Sequence, residues 1–184
     1  MFNTILISGP PGVGKTTLVR NICKELAVSY NCFGFITEEV RCDQTSARIG
    51  FDVVTFLGKR SILARERSVN TDQMPKVGKY SVYINEFEDL VLPLLDYPNS
   101  KQDLLVIDEI GKMELKSERF ERALIKLIGK VPILATIPCQ SNEHLKLVEC
   151  LKNSSTSRTF VINKSNRSVI QHDIVKHIKQ MLRN

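Results

Sequence analysis

No apolar run in the 184-residue sequence approaches the eighteen or so residues that a membrane-spanning helix needs. That argues against a membrane partner. The opening stretch, MFNTILISGPP, lacks a basic start and holds only a brief apolar segment, so it reads as a first strand and not as a secretory signal. Cysteine is sparse and unpatterned. Cys23, Cys32, Cys42, Cys139 and Cys150 are odd in number and show no Cys-x-x-Cys spacing, which excludes a disulfide framework or a zinc knuckle. Reduced thiols in the cytoplasm or nucleus, not a secreted chain, are the expectation. The only histidines, His144, His172 and His177, stand in no relationship that would activate a thiol nucleophile. Runs of single-sign charge are missing too. A net charge of +6 and a pI near 9.1 suit an anionic ligand. The basic residues are interleaved with acids, however, so they read as a mixed-charge surface, and no motif indicates a nucleic-acid partner. There is no internal repeat and no low-complexity tract; one domain over residues 1–184 with a substantial core is expected.

What is present is an alternation of apolar strands and amphipathic helices. FNTILIS is a strand that stops at Gly9, and the spacing of Val19, Ile22, Cys23 and Leu26 predicts a helix over 16–26. FGFIT (33–37) is a second strand. A β-rich stretch follows at 48–56, 60–65 and 79–84, punctuated by Gly50, Gly58 and Gly78, with a polar loop expected at 66–78. Helices at 87–95, 117–128 and 145–151 then alternate with strands at 104–108, 131–136 and 158–163. Ile170, Ile174, Ile178 and Leu182 stripe a closing helix. This order predicts an α/β fold with a mostly parallel sheet flanked by helices, and a β-rich insertion around residues 48–84.

The turn after the first strand, GPPGVGKTT, fits G-x-x-x-x-G-K-[ST] through Gly9, Gly14, Lys15 and Thr16, between a strand and a helix. Glycines let the backbone N–H groups converge on phosphate oxygens, and the helix N-terminus adds unpaired donors. Lys15 reaches the β- and γ-phosphates, and Thr16 offers a hydroxyl to Mg²⁺. Such a P-loop needs a carboxylate opposite Thr16 to hold the ion. LLVIDEIGKMEL (104–115) supplies one in Asp108, at the carboxyl end of an apolar strand, where sheets of this type place their ligand chemistry. Glu109 is expected to point elsewhere, because strand residues alternate in direction, and to act as the base for an attacking water. In one large branch of P-loop enzymes, where a glutamate beside the metal aspartate serves the attacking water, a further strand lies between the P-loop strand and the Asp-Glu strand. VPILATIP supplies it, with Thr136 as a polar residue near the γ-phosphate or as a threonine placed by propensity alone.

Together with GFITEEVR, RIGFDVVTF, VGKYSVYINEFE, VIDEIGKMEL, ILATIP and NRSVI, these blocks make the chain resemble the THEP1-type nucleoside-triphosphatases, the family that includes the cancer-related nucleoside-triphosphatase. The likeness covers nearly the whole chain, with looser agreement at 66–78 and at DYPNSKQD. It implies a RecA-like P-loop fold and slow, Mg²⁺-dependent hydrolysis of ATP, GTP and other nucleoside triphosphates; separately, a monomer is expected. The family's two nucleotide-binding blocks fall here on Gly9, Pro10, Pro11, Gly12, Val13, Gly14, Lys15 and Thr16, and on Leu104, Leu105, Val106, Ile107, Asp108, Glu109, Ile110 and Gly111. Glu109 and Lys15 are the implied catalytic pair, with Thr16 and Asp108 on the metal. Arg41 and Lys112 are candidates for neutralising the γ-phosphate, or are surface cations; Asn166 and Arg167 either touch the base or ribose or cap the final helix. Two other functions stay open at this point. A small-molecule kinase shares the loop, although the lid-like region 138–157 contains no arginine. A nucleotide-timed switch on RNA or protein would suit the basic balance.

Overall fold

The computed structural model describes residues 3–66, 73–96, 103–139 and 145–183. Residues 67–72 of the loop expected at 66–78 lie outside them, as do 97–102 of the DYPNSKQD stretch and 140–144 of the lid-like region, including His144; in the described part of the 66–78 loop, Lys76 and Val77 pair as a strand. In chain order, β1 (Thr4–Gly9) leads to α1 (Lys15–Leu26) and β2 (Asn31–Arg41). Then come β3 (Arg48–Thr55), β4 (Arg60–Glu66), β5 (Lys76–Val77), β6 (Tyr80–Val82) and α2 (Ile84–Leu95). β7 (Asp103–Asp108), α3 (Glu118–Leu127), β8 (Ile133–Pro138), α4 (Lys146–Asn153), β9 (Ser157–Val161) and α5 (Ile170–Leu182) complete the described elements.

All the strands join one sheet, in the order β5-β6-β4-β3-β2-β7-β8-β1-β9. From β2 to β9 the neighbours run parallel, and from β2 to β5 they run antiparallel. The insertion at 48–84 therefore extends the sheet from the β2 edge. Strand residues alternate between two apolar layers. On β7, Leu105 and Ile107 face the layer of α2, α3 and α4, while Leu104 and Val106 face that of α1 and α5. All four are fully buried, as burial on both faces of a parallel sheet requires. The close approach of β2 to β7 depends on Gly34, whose φ is +121°. A Cβ there would lie 2.1 Å from the Val106 carbonyl oxygen.

Several boundaries differ from the sequence pattern for physical reasons. The strand expected at 33–37 extends through the polar TEEVR segment because β3 pairs it as far as Arg41. The strand expected at 79–84 is cut to Tyr80–Val82, and Ile84 opens α2 one turn before the buried Phe87. Pro132, with no N–H, precedes β8, whose first residue is Ile133. The last strand stops at Val161. Beyond it the Asn163 side-chain oxygen accepts from the Ser165 and Asn166 amides at 2.9 and 3.0 Å, closing a turn.

The larger core centres on Phe35, Phe87 and Phe120, packed edge to face with ring centroids 5.2–6.0 Å apart. Phe120 is positioned by Ser117. The Ser117 hydroxyl accepts from the Phe120 amide at 2.9 Å, capping α3, and donates to Glu88 at 2.6 Å. Truncating Phe120 to alanine leaves a void between two other rings. The expected loss is about 3–5 kcal/mol, read as a lower urea midpoint with an unchanged denaturant slope.

Candidate active site

Sheet order places the chemistry. β8 lies between β1 and β7, in register from Thr4↔Ile133 on one side and Leu105↔Ile133 on the other. The ends of β1 and β7 therefore open on one cleft of about 790 Å³. It is lined by the turn from Gly9 to Thr17, by Thr37, Glu38, Glu39 and Phe51 of the β2–β3 pair, and by Asp108, Glu109, Pro138 and Cys139.

The glycine-rich turn is built for its shape. Gly14, with φ +106°, lies in the left-handed region at the residue before α1. Lys15 arches back over the turn, its Nζ donating to the Gly9 carbonyl at 3.1 Å. From the turn after β9, the Arg167 guanidinium donates to the Val13 carbonyl at 3.2 Å. Val13 is itself buried, whereas Pro10, Pro11 and Gly12 are exposed at the mouth of the cleft.

Asp108 is only 2% exposed. One carboxylate oxygen, Oδ1, accepts from the Thr136 hydroxyl at 2.6 Å; Oδ2 is buried without a hydrogen-bond partner. Burial raises the Asp108 pKa, while the hydroxyls of Thr136 and Thr16 and the charges of Lys15 and Arg20 oppose the rise. Thr16 thus stands close to the orphaned carboxylate. A hydroxyl beside an unsatisfied carboxylate oxygen suits a small hard cation, which takes one or two such ligands and completes its shell from phosphate and water. No cluster of three or more His, Cys, Asp or Glu with metal-site geometry occurs among the described residues, so any cation here depends on that sparse set.

Glu109 corrects the expectation that it points elsewhere. β7 ends at Asp108, so strand alternation no longer applies to the next residue, and both acids line the cleft. The peptide bond between them is cis. The amide of Ile110 donates to the Thr136 carbonyl at 2.9 Å and ties this corner to β8. Glu109 is half-buried, and burial, then the Asp108 charge, raises its pKa against the pull of Lys15.

A third acid escapes the sequence reading. Glu114, in a helical turn at 114–116, is 4% exposed. Its carboxylate accepts from the Gly111 amide at 3.2 Å and makes a long 3.5 Å contact with the Thr37 hydroxyl. Burial raises its pKa to about 8, and the charges of Glu109 and Asp108 add to the rise. Nothing in KMELKSE distinguishes this residue from a surface glutamate; its burial comes from the turn beneath β2.

The other candidates separate. Leu104, Leu105, Val106 and Ile107 are fully buried and Ile110 nearly so; they build the sheet beneath the cleft and are not among its lining. Thr136 is also fully buried, its hydroxyl engaged by Asp108, so it positions that carboxylate. Arg41 pairs with Glu39 at 2.5 Å and donates to the Ser46 carbonyl on the exposed surface, outside the cleft. Lys112 lines a neighbouring hollow and not the cleft. Asn166 bonds to the Asn163 amide and the Val161 carbonyl, which makes it part of the turn after β9.

Comparison with known proteins agrees with this geometry. A model of the NTPase family matches residues 4–175. The chain is 41% identical to the human protein named cancer-related nucleoside-triphosphatase, over 95% of this chain and 96% of that one. It is 38% identical to nucleoside-triphosphatase THEP1 of Thermotoga sp. (strain RQ2), over 95% of both chains. The crystal structure of THEP1 from Aquifex aeolicus superposes with a TM-score of 0.82 at 34% identity, over 96% of this chain and 99% of that one.

The three acids set a pH dependence. Glu114 binds its proton more tightly when folded, so its contribution to stability is complete below about 4.5 and is lost as pH rises through about 8. Asp108 and Glu109 shift in the same direction. Urea midpoints should therefore fall between those pH values, and Glu114→Gln should flatten the decline.

Proposed function

The chain belongs to the nucleoside-triphosphatase family of these relatives and has its RecA-like P-loop fold, and from that premise we propose a Mg²⁺-dependent hydrolase of ATP, GTP and other nucleoside triphosphates with slow turnover. The observation that carries this reading is the meeting of Thr16, Lys15, Asp108 and Glu109 in one cleft. The amides from Gly12 to Thr16 and the Lys15 ammonium bind the β- and γ-phosphates. Asp108 Oδ2 and the Thr16 hydroxyl would hold Mg²⁺, which when bound neutralises charge on the phosphate oxygens. Thr136 keeps the Asp108 carboxylate turned toward Thr16. Glu109 accepts a proton from the attacking water, and its raised pKa makes it a stronger base than an exposed glutamate.

Slow turnover has a physical basis. Lys15 is the only cation among the described residues lining the cleft, and nearby Arg20 is paired with Glu38. An arginine on the γ-phosphate is worth about 10³–10⁵ in rate in related chemistry. We read residues 1–184 as one domain acting as a monomer. The free state of all five cysteines supports a reducing compartment, cytoplasmic or nuclear. No helix of the described residues is long and apolar enough to cross a membrane.

Phosphate release from ATP, GTP, CTP, UTP and ITP tests the reading. Comparable rates with Mg²⁺, none after chelation and none in Lys15→Ala are expected; Mg²⁺-independent release would remove the metal assignment. Glu109→Gln should keep nucleotide affinity and lose about 10²-fold or more in kcat. Wild-type turnover in that variant excludes Glu109 as the base. Thr136→Val, which frees the Asp108 carboxylate, should raise the Mg²⁺ concentration at half-maximal rate by about 10–100-fold.

A further inference from the structure

A second hollow, of about 240 Å³, adjoins the nucleotide cleft. The two share Thr37, Phe51, Glu109 and Pro138, so they meet along the proposed base. Val77 and Met113 line only the second hollow and pack against the larger core; Glu114, Gly111 and Lys112 supply its polar lining. Hydrolysis does not require this space. An attacking water takes about 30 Å³ and prefers polar partners, whereas this hollow is several times larger and much of its wall is hydrocarbon. Apolar walls with a few fixed polar groups are the signature of a small-molecule site.

Charge narrows the class of ligand. Glu109 and Lys112 line the hollow, whereas Glu114 beside them holds its proton up to about pH 8, and Glu38 and Glu39 in the adjoining cleft are each bound by two arginines. A phosphorylated or carboxylated acceptor would set its charge against the Glu109 carboxylate that has to take the proton, whereas a neutral alcohol would not.

We propose that this hollow is an acceptor subsite for a small neutral alcohol with a flat apolar body, and that the protein passes the γ-phosphoryl group to that alcohol in competition with water. The alcohol oxygen bonds to the γ-phosphorus as the bond from that phosphorus to the β,γ-bridging oxygen breaks. The hydroxyl proton passes to the Glu109 carboxylate, and the nucleoside diphosphate leaves with the electron pair. Phe51 and Met113 hold the apolar body; Thr37 and Glu114 orient the hydroxyl end. The inference rests on the hydrolytic reading above, because both use one phosphate site and one base.

The test follows Mg²⁺–ATP turnover by phosphorus NMR with benzyl alcohol, 3-pyridinemethanol or uridine present, and with uridine monophosphate as the anionic counter-probe. A phosphate monoester from at least one neutral alcohol, with no diphosphate formed from the monophosphate, is expected. Val77→Phe fills the hollow without touching the nucleotide cleft; it should cut ester formation about 10²-fold and leave phosphate release in water unchanged. Met113→Phe narrows the same space from another element and serves if Val77→Phe disturbs the fold. Inorganic phosphate as sole product with every alcohol, undiminished ester in the filled variants, or transfer to the monophosphate at a matching rate would each overturn the proposal. Loss of phosphate release by the wild type without any alcohol would instead overturn the hydrolytic reading.

Discussion

Three carboxyl groups and one ammonium group share the carboxyl end of the parallel strands, and the rest of the site is arranged to make that tolerable. Asp108, Glu109 and Glu114 are all drawn from water, and each has its pKa raised by burial. Isolated buried charge is costly, so each acid is compensated by what lies near it. The Thr136 hydroxyl satisfies one Asp108 oxygen, the Gly111 amide satisfies one of Glu114, and Lys15 offsets both Asp108 and Glu109. The compensation is incomplete, since Asp108 Oδ2 has no partner. A site in this condition favours a ligand that arrives with positive charge, and that is the physical sense of proposing a triphosphate accompanied by Mg²⁺.

The two halves of the sheet divide the work. The parallel half, β2-β7-β8-β1-β9, sets the distance between the glycine-rich turn and the acids. The antiparallel β2–β3 pair supplies the facing wall through Thr37, Glu38, Glu39 and Phe51. Charged side chains connect the halves: Arg20 on α1 pairs with Glu38, Glu38 with Arg60, and Asp52 with both Arg60 and Arg65. Arg20 and Arg60 are well exposed, so their pairs with Glu38 contribute little to stability, whereas Asp52 is buried between its two arginines. They keep the Glu38 carboxylate, which lines the cleft, bound to Arg20 and Arg60. The β-extension thus turns an open P-loop edge into a walled cleft with a second space beside it.

How much of this was legible varies with the range of the interaction. GPPGVGKT could be read as a phosphate cradle because a strand, a tight turn and a helix start are local events. Asp108 could be placed because an acid closing four apolar residues on a parallel strand has few other positions. Glu109 was harder: the alternation rule fails one residue beyond the strand's last ladder position. Thr136 was placed on the right strand, but its hydroxyl faces Asp108, a contact 28 residues away in sequence. Glu114 gave no signal, since an acid in KMELKSE is ordinary until Thr37 and Gly111 enclose it. Phe51 and Val77 lie in an insertion whose strand pairing, and hence whose facing residues, a period of two cannot specify.

The amino-acid order by itself determined the glycine-rich turn between strand and helix, the alternation of strands and helices, and the acid at the end of the 104–108 strand. Each of these rests on interactions within a few residues or on a periodicity that any folded state must respect. Tertiary structure alone decided that Glu109 joins Asp108 in the cleft, that Thr136 and Glu114 support them, and that a second hollow opens beyond the base. Those outcomes depend on which strands become neighbours. Burial, and with it the proton affinity of an acid, is a property of the neighbours packed around a residue and not of the residues beside it in the chain.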